Sequence, residues 1–253
     1  ASDCGRLAAA SRIAIRCAIC PSSGAPLNRV VAPVVVFFAF TPVSAGLIKV
    51  RLVSVAIWLG LPLLFALGLY LLGLARLWRG GIGRGVGAGS VLAFAGGWLS
   101  LFLAMVWPLD ALGAWSLAAH MAQHMLLLAL APPLLLAGMA GPAWLAALPA
   151  SWARAVMRPL RGPRAQSAWR AVSGLGVSTV LQALVMWGWH LPAAMDHALA
   201  HAPTHYAMHL SFLVAGLLFW TAVLRSLRDP VHGAGAGLVA LLATMVHMGL
   251  LSA

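Results

Sequence analysis

Two pairs of imidazoles carry the chemistry that this chain offers. His120 and His124 bracket the run HMAQHM, and His205 and His209 bracket HYAMH. Each pair is spaced i, i+4, which on a helix puts both rings on one face, about 6 Å apart at the backbone. Two nitrogens so placed can serve one metal ion. His190 and His247 are further imidazole donors, and Met121, Met125 and Met208 lie within or beside the pairs. Imidazole mixed with thioether suits copper, Cu(I) above all, whereas Mg²⁺, Ca²⁺ or a di-iron centre would want clustered carboxylates. None are available: the acids are four Asp, with no Glu in the chain. Asp110 and Asp196 stand singly and, with His201 and Gln123, read as partners that orient a ring N–H rather than as ligands. Ser116 and Ser211 have no base arranged beside them, so nothing suggests a hydrolase or any other enzyme.

The elements that must position these residues are membrane helices. The composition is 62% hydrophobic and 8% charged, with mean hydropathy +0.96, far too little charge for a water-soluble surface. Continuous apolar runs long enough to cross about 30 Å of hydrocarbon fall at Leu52–Leu74, Val86–Trp107, Ser116–Leu136, Val172–Trp189, His205–Leu224 and Gly235–Ser252. Because the runs are continuous rather than alternating, the expected fold is all-α, a polytopic transmembrane helix bundle with six spans. Gly96–Gly97 permits a close helix approach in the second span, and Pro132–Pro133 predicts a kink in the third, below its histidines.

Arginine then orients the bundle. Arg76, Arg79 and Arg84 follow the first span, five Arg from Arg154 to Arg170 follow the third, and Arg225 and Arg228 follow the fifth. The alternate loops, 108–115 and 190–204, contain no Lys or Arg. The positive-inside rule assigns the arginine loops to the cytoplasm, and Trp residues mark both interfaces. The formal charge of +12 is thereby explained by cytoplasmic loops and anionic headgroups, with no aromatic-interleaved basic surface for nucleic acid. The loop at about 139–171 mixes apolar residues with Arg and predicts an amphipathic segment lying on the membrane, within a single helical domain over 46–253. On this topology eight of the nine histidines lie at or near the outer leaflet, with only His232 cytoplasmic.

Each residue alone has a plainer reading. An imidazole inside a bundle can be an interhelical hydrogen bond worth about 0.6–2 kcal/mol. Methionines in apolar helices fill gaps, and His197 can simply be solvated. Those readings do not account for two i, i+4 pairs, His190 and His247 converging at one depth. A b-type haem held by His124 and His209 is an alternative that uses the same residues. A copper transporter is another, although the cytoplasmic halves of the spans offer no polar path.

Residues 1–45 read as a basic leader resembling a signal peptide cleaved after Ala45, or else as an uncleaved extra span. Cys17 and Cys20 form a CxxC within it, and with Cys4 they are the only cysteines.

The segments PLDALGAWSLAAHMAQHMLLLALAPPLLLAG (108–138), MWGWHLPAAMDHALAH (186–201), THYAMHLSFLVAGLLFW (204–220) and ATMVHMGLLSA (243–253) together resemble the CtaG-type, seven-span cytochrome c oxidase assembly factors. The resemblance runs from about Arg51 to the end of the chain. It implies a multi-pass protein of the bacterial inner membrane that serves respiratory-chain biogenesis, with copper supplied to a membrane subunit of haem–copper oxidase as partner. It also implies that His120, His124, His190, Asp196, His201, His205 and His209 are the family's polar positions. Two departures stand out. Met208 occupies a position where many relatives carry Glu, and the sequence stops at Ala253, where the family continues into a seventh span.

Overall fold

The computed structural model describes residues 59–113, 116–229 and 233–252. The leader at 1–45 with its cysteines, positions 52–58 of the expected first span, and His232 lie outside the described residues. Among the described residues there is no strand. The helices are α1 (Leu61–Trp78), α2 (Ala88–Met105), α3 (Leu109–Gly113), α4 (Leu117–Met125), α5 (Ala131–Ala137), α6 (Ala140–Ala147) and α7 (Ala150–Leu160). They continue with α8 (Pro163–Val172), α9 (Leu175–His190), α10 (Pro192–Ala200), α11 (Ala202–Ser226) and α12 (Gly233–Ser252), and a short π-helix, Leu126–Leu130, joins α4 to α5.

Five stretches are long and apolar enough to cross a membrane: Leu61–Trp78, Ala88–Gly113, Leu117–Ala137, Ala202–Ser226 and Gly233–Leu251. The fourth expected span, Val172–Trp189, is broken, because α8 and α9 meet at 64° and qualify only as a pair. The break falls at Ser173–Gly174, where Gly174 leaves the helix for extended backbone (φ −67°, ψ 141°). The 16 residues of α9 alone rise about 24 Å, short of a full hydrocarbon crossing. The long helices turn apolar side chains outward, with Phe65, Leu92, Leu184 and Leu238 all exposed. The described chain is therefore an all-α polytopic helix bundle.

The first span ends four residues later than its hydropathy suggested, which places Arg76 inside α1 rather than in the following loop. Its long stem explains this: the guanidinium reaches the carbonyls of Ala146, Ala147 and Leu148 at 3.2, 2.6 and 3.5 Å, so the charge is held at the end of α6. The stretch 139–171 forms three helices. The first, α6, docks on α1, with Tyr70 Oη donating to Gly138 O (3.1 Å) and Trp144 Nε1 to Ala66 O (2.9 Å). The other two, α7 and α8, bury no residue.

The third span absorbs its two prolines as a π-helix and not as a break. Pro132 has no N–H, so the carbonyl of Leu128, four residues earlier, loses its helical donor. Trp220 of α11 supplies the replacement, donating from Nε1 at 3.0 Å. The backbones come close here because residue 216 is glycine: a Cβ would lie 2.8 Å from Pro132 Cγ and 3.1 Å from the carbonyl oxygens of Leu127 and Leu128. Gly97 plays the same part between α2 and α5, where a Cβ would meet Leu135 at 2.9 Å. Gly96 faces Leu134 at an ordinary 3.5 Å, so of the two glycines only Gly97 is required by the packing.

Helix α11 is the axis of the bundle and packs against α5, α9, α10, α12 and the π-helix. The largest core, built from Leu101, Met105, Leu127, Leu128, Met186 and Phe212 among others, lies where α2, α9 and α11 meet the π-helix. That apolar floor carries the histidines.

Candidate metal centre

Ser116 starts the helix that presents the first pair. Its backbone is extended (φ −135°, ψ 117°) and its Oγ accepts from Ala119 N at 3.4 Å, an N-cap that fixes where α4 begins. His120 and His124 follow on successive turns. The second pair lies near the start of α11, where Pro203 in the first turn is pre-set for helix. His190 is the last residue of α9, anchored because the neighbouring Trp189 Nε1 donates to Ser211 Oγ on α11 at 2.8 Å.

The two pairs meet. Ring centroids are 4.4 Å apart for His120–His124 and 4.3 Å for His205–His209. Across the helices, His120 lies 5.6 Å from His205 and 5.9 Å from His209, while His124 lies 5.5 Å from His209 and 5.8 Å from His190. Ligand nitrogens of His120, His205 and His209 all fall within 4.8 Å of one another. A shift of under about 1 Å brings three such atoms within bonding reach of one ion. Phe212 closes the floor, its ring 4.6 Å from that of His124.

These rings are buried, His124 at 1% and His209 at 0% exposure. Six of their nitrogens have no hydrogen-bond partner: Nε2 of His120 and His190, and both nitrogens of His124 and His209. A buried polar atom left so costs about 1–3 kcal/mol, and folds tolerate few of them without a purpose. His190 is different in one respect. Its Nδ1 lies 2.7 Å from the carbonyl of Met186. A carbonyl can only accept, so Nδ1 carries the proton and Nε2 keeps its lone pair free. This is the arrangement of a metal-ligating histidine held by a backbone oxygen.

Two cavities border the cluster. One, of about 690 Å³, is lined by Asp110, Ser116, His120, Gln123, His205 and Tyr206 among others. The other, of about 510 Å³, is lined by His124, His190 and four methionines, Met121, Met125, Met186 and Met248, with a few apolar neighbours. Gln123 is fully buried and donates from Nε2 to Ala104 O at 2.7 Å, tying α4 to α2.

Of the residues singled out by spacing, His120, His124, His190, His205 and His209 converge, with Met121, Met125, Asp110 and Gln123 around them. Others lie apart. Met208 is fully buried in the core below. His247 on α12 makes no ring contact with the cluster among the described residues, although both its nitrogens are buried without a partner. Asp196 is exposed on α10, and His201 is exposed with its ring stacked on His197 at 4.2 Å. Met186 and Met248, which the span assignment sets at the depth of the histidines, line the second cavity, and Met186 also stands i, i+4 to His190. Tyr206 lines the first cavity without having been picked out.

The family model described as cytochrome c oxidase caa3 assembly factor matches residues 68–253. No curated protein matches the chain. No solved structure matches it either.

Proposed function

The chain belongs to the cytochrome c oxidase caa3 assembly factor family, and on that premise we propose that it handles copper for the oxidase. The cluster takes up Cu(I) as cargo from the arginine-poor side of the membrane and yields it to an oxidase subunit lying in the same bilayer. The protein acts by binding and transfer, not by catalysing a reaction. One observation carries this reading: five imidazoles from three helices converge, and six of their buried nitrogens have no partner. Neutral nitrogen and thioether donors with few carboxylates select a soft monovalent ion over a hard divalent one. The alternation of arginine between loops supports an orientation in which the cluster faces the outside of a bacterial inner membrane.

The test is metal analysis of the purified protein under reducing conditions, with His120→Ala/His124→Ala alongside. Bound Cu(I) in the parent, its loss in the variant and a fall in oxidase copper content in cells are expected. A parent protein that binds no copper, or oxidase copper unchanged by the double variant, overturns the proposal. A Soret band in the purified protein would establish the haem alternative instead.

A further inference from the structure

The cluster is not symmetrical, and its asymmetry has a chemical sense. The two cavities share Leu117 alone. Between them they divide the histidines: His120 and His205 line the first, His124 and His190 the second. The first is furnished with hydroxyl, amide and carboxylate groups from Ser116, Tyr206, Gln123 and Asp110, and has a single thioether, Met195. The second has no oxygen side chain and has four thioethers. His209 lines neither cavity; it is fully buried, 5.9 Å from His120 and 5.5 Å from His124. The nitrogens that gather within 4.8 Å of one another are those of His120, His205 and His209, and His124 is not among them.

From this we infer that the cluster holds two successive Cu(I) stations: an imidazole station of His120, His205 and His209 on the polar cavity, and a thioether station of His124, His190, Met121, Met125 and Met186 on the other. The inference rests on the copper reading above. Polar groups in the first cavity suit an ion still partly dressed in water or in a donor's ligands. Thioethers in the second suit bare Cu(I) and discriminate against Zn²⁺, which prefers imidazole, thiolate and carboxylate. The two stations meet at His120 and His124, whose ring centroids are 4.4 Å apart. The ion passes by exchanging one neutral donor for another, with no electron transferred and no ligand proton released. The second station faces outward through Met125, which lines this cavity and not the first and is 48% exposed. The way out is therefore sideways past Met125, where a membrane-embedded acceptor is met, rather than back into the polar cavity.

The experiment is a Cu(I) titration in detergent against a chromophoric Cu(I) chelator, with X-ray absorption at each equivalent, on the full chain carrying Cys4→Ser/Cys17→Ser/Cys20→Ser, which removes the thiols that would themselves take Cu(I) and scatter as sulfur. The parent is expected to take two Cu(I) per chain, with sulfur neighbours appearing at only one of them. Met121→Leu/Met125→Leu/Met186→Leu, near volume-neutral changes that leave every histidine in place, should remove one equivalent and all sulfur scattering. His205→Ala should remove the other and leave the sulfur-containing site. One copper per chain, or a triple methionine variant that still takes two, overturns the two-station arrangement while leaving the copper proposal standing. A parent that takes no copper overturns both.

Discussion

His190 Nδ1 and the carbonyl oxygen of Met186 lie 2.7 Å apart, and the bond between them determines which nitrogen of His190 is available. The proton is committed to the backbone, and the lone pair of Nε2 is buried on a ring 5.8 Å from that of His124. The same residue pair that lines the methionine cavity thus also orders it.

Replacing His190 should therefore act on binding and not on folding. His190→Ala is expected to weaken Cu(I) affinity by at least about tenfold, or about 1.4 kcal/mol, with little change in thermal stability. Competition against a chromophoric chelator measures the first and a melting curve the second. An unchanged affinity would remove His190 from the site.

Buried rings without partners predict an inverse effect on stability. Replacing an unsatisfied polar group by an apolar one of similar size is neutral or favourable to the fold. His209→Leu should accordingly keep or raise the melting temperature of the copper-free protein while lowering its copper content. A large loss of stability would mean that His209 is held by bonds the fold depends on.

Trp220 and Pro132 form a second testable couple. Trp220→Phe leaves the Leu128 carbonyl without a donor, at a cost of about 1–3 kcal/mol, read as a lower melting temperature. Restoring the missing N–H by Pro132→Ala in the same chain should recover part of that loss. Full additivity of the two changes would show that they are not linked through this carbonyl.

Residues placed outside the cluster provide a contrast. Asp196→Asn and His201→Ala alter exposed groups beyond both cavities and should leave Cu(I) affinity within about twofold. A loss as large as that of His190→Ala would bring these two side chains into the site.

Depth along the membrane normal was legible in the sequence, and direction around each helix was not. Hydropathy runs locate a residue along its span, so His120, His124, His190, His205 and His209 could be set at one level. The i, i+4 rule then fixed two pairs on common faces. Facing requires an amphipathic pattern, and α11 and α12 have hardly any, their few polar residues being set among apolar ones all round the helix. Hence Met208, one residue from His209, points into the core, and His247 shares a helix with Met248 without joining the rings. The break at Ser173–Gly174 was hidden for a related reason, since a hydropathy window averages across a bend.

The π-helix at Leu126–Leu130 has an angular consequence. Successive residues of a regular helix advance about 100° around its axis. Drawing this stretch in to a regular helix with the same residues would rotate His120 and His124 by roughly one residue's advance relative to Pro132, which Gly216 holds in place. The imidazoles would then turn away from His205 and His209. The wide turn thus acts as a phase setting: the half of the helix that bears donors is aimed independently of the half that is packed.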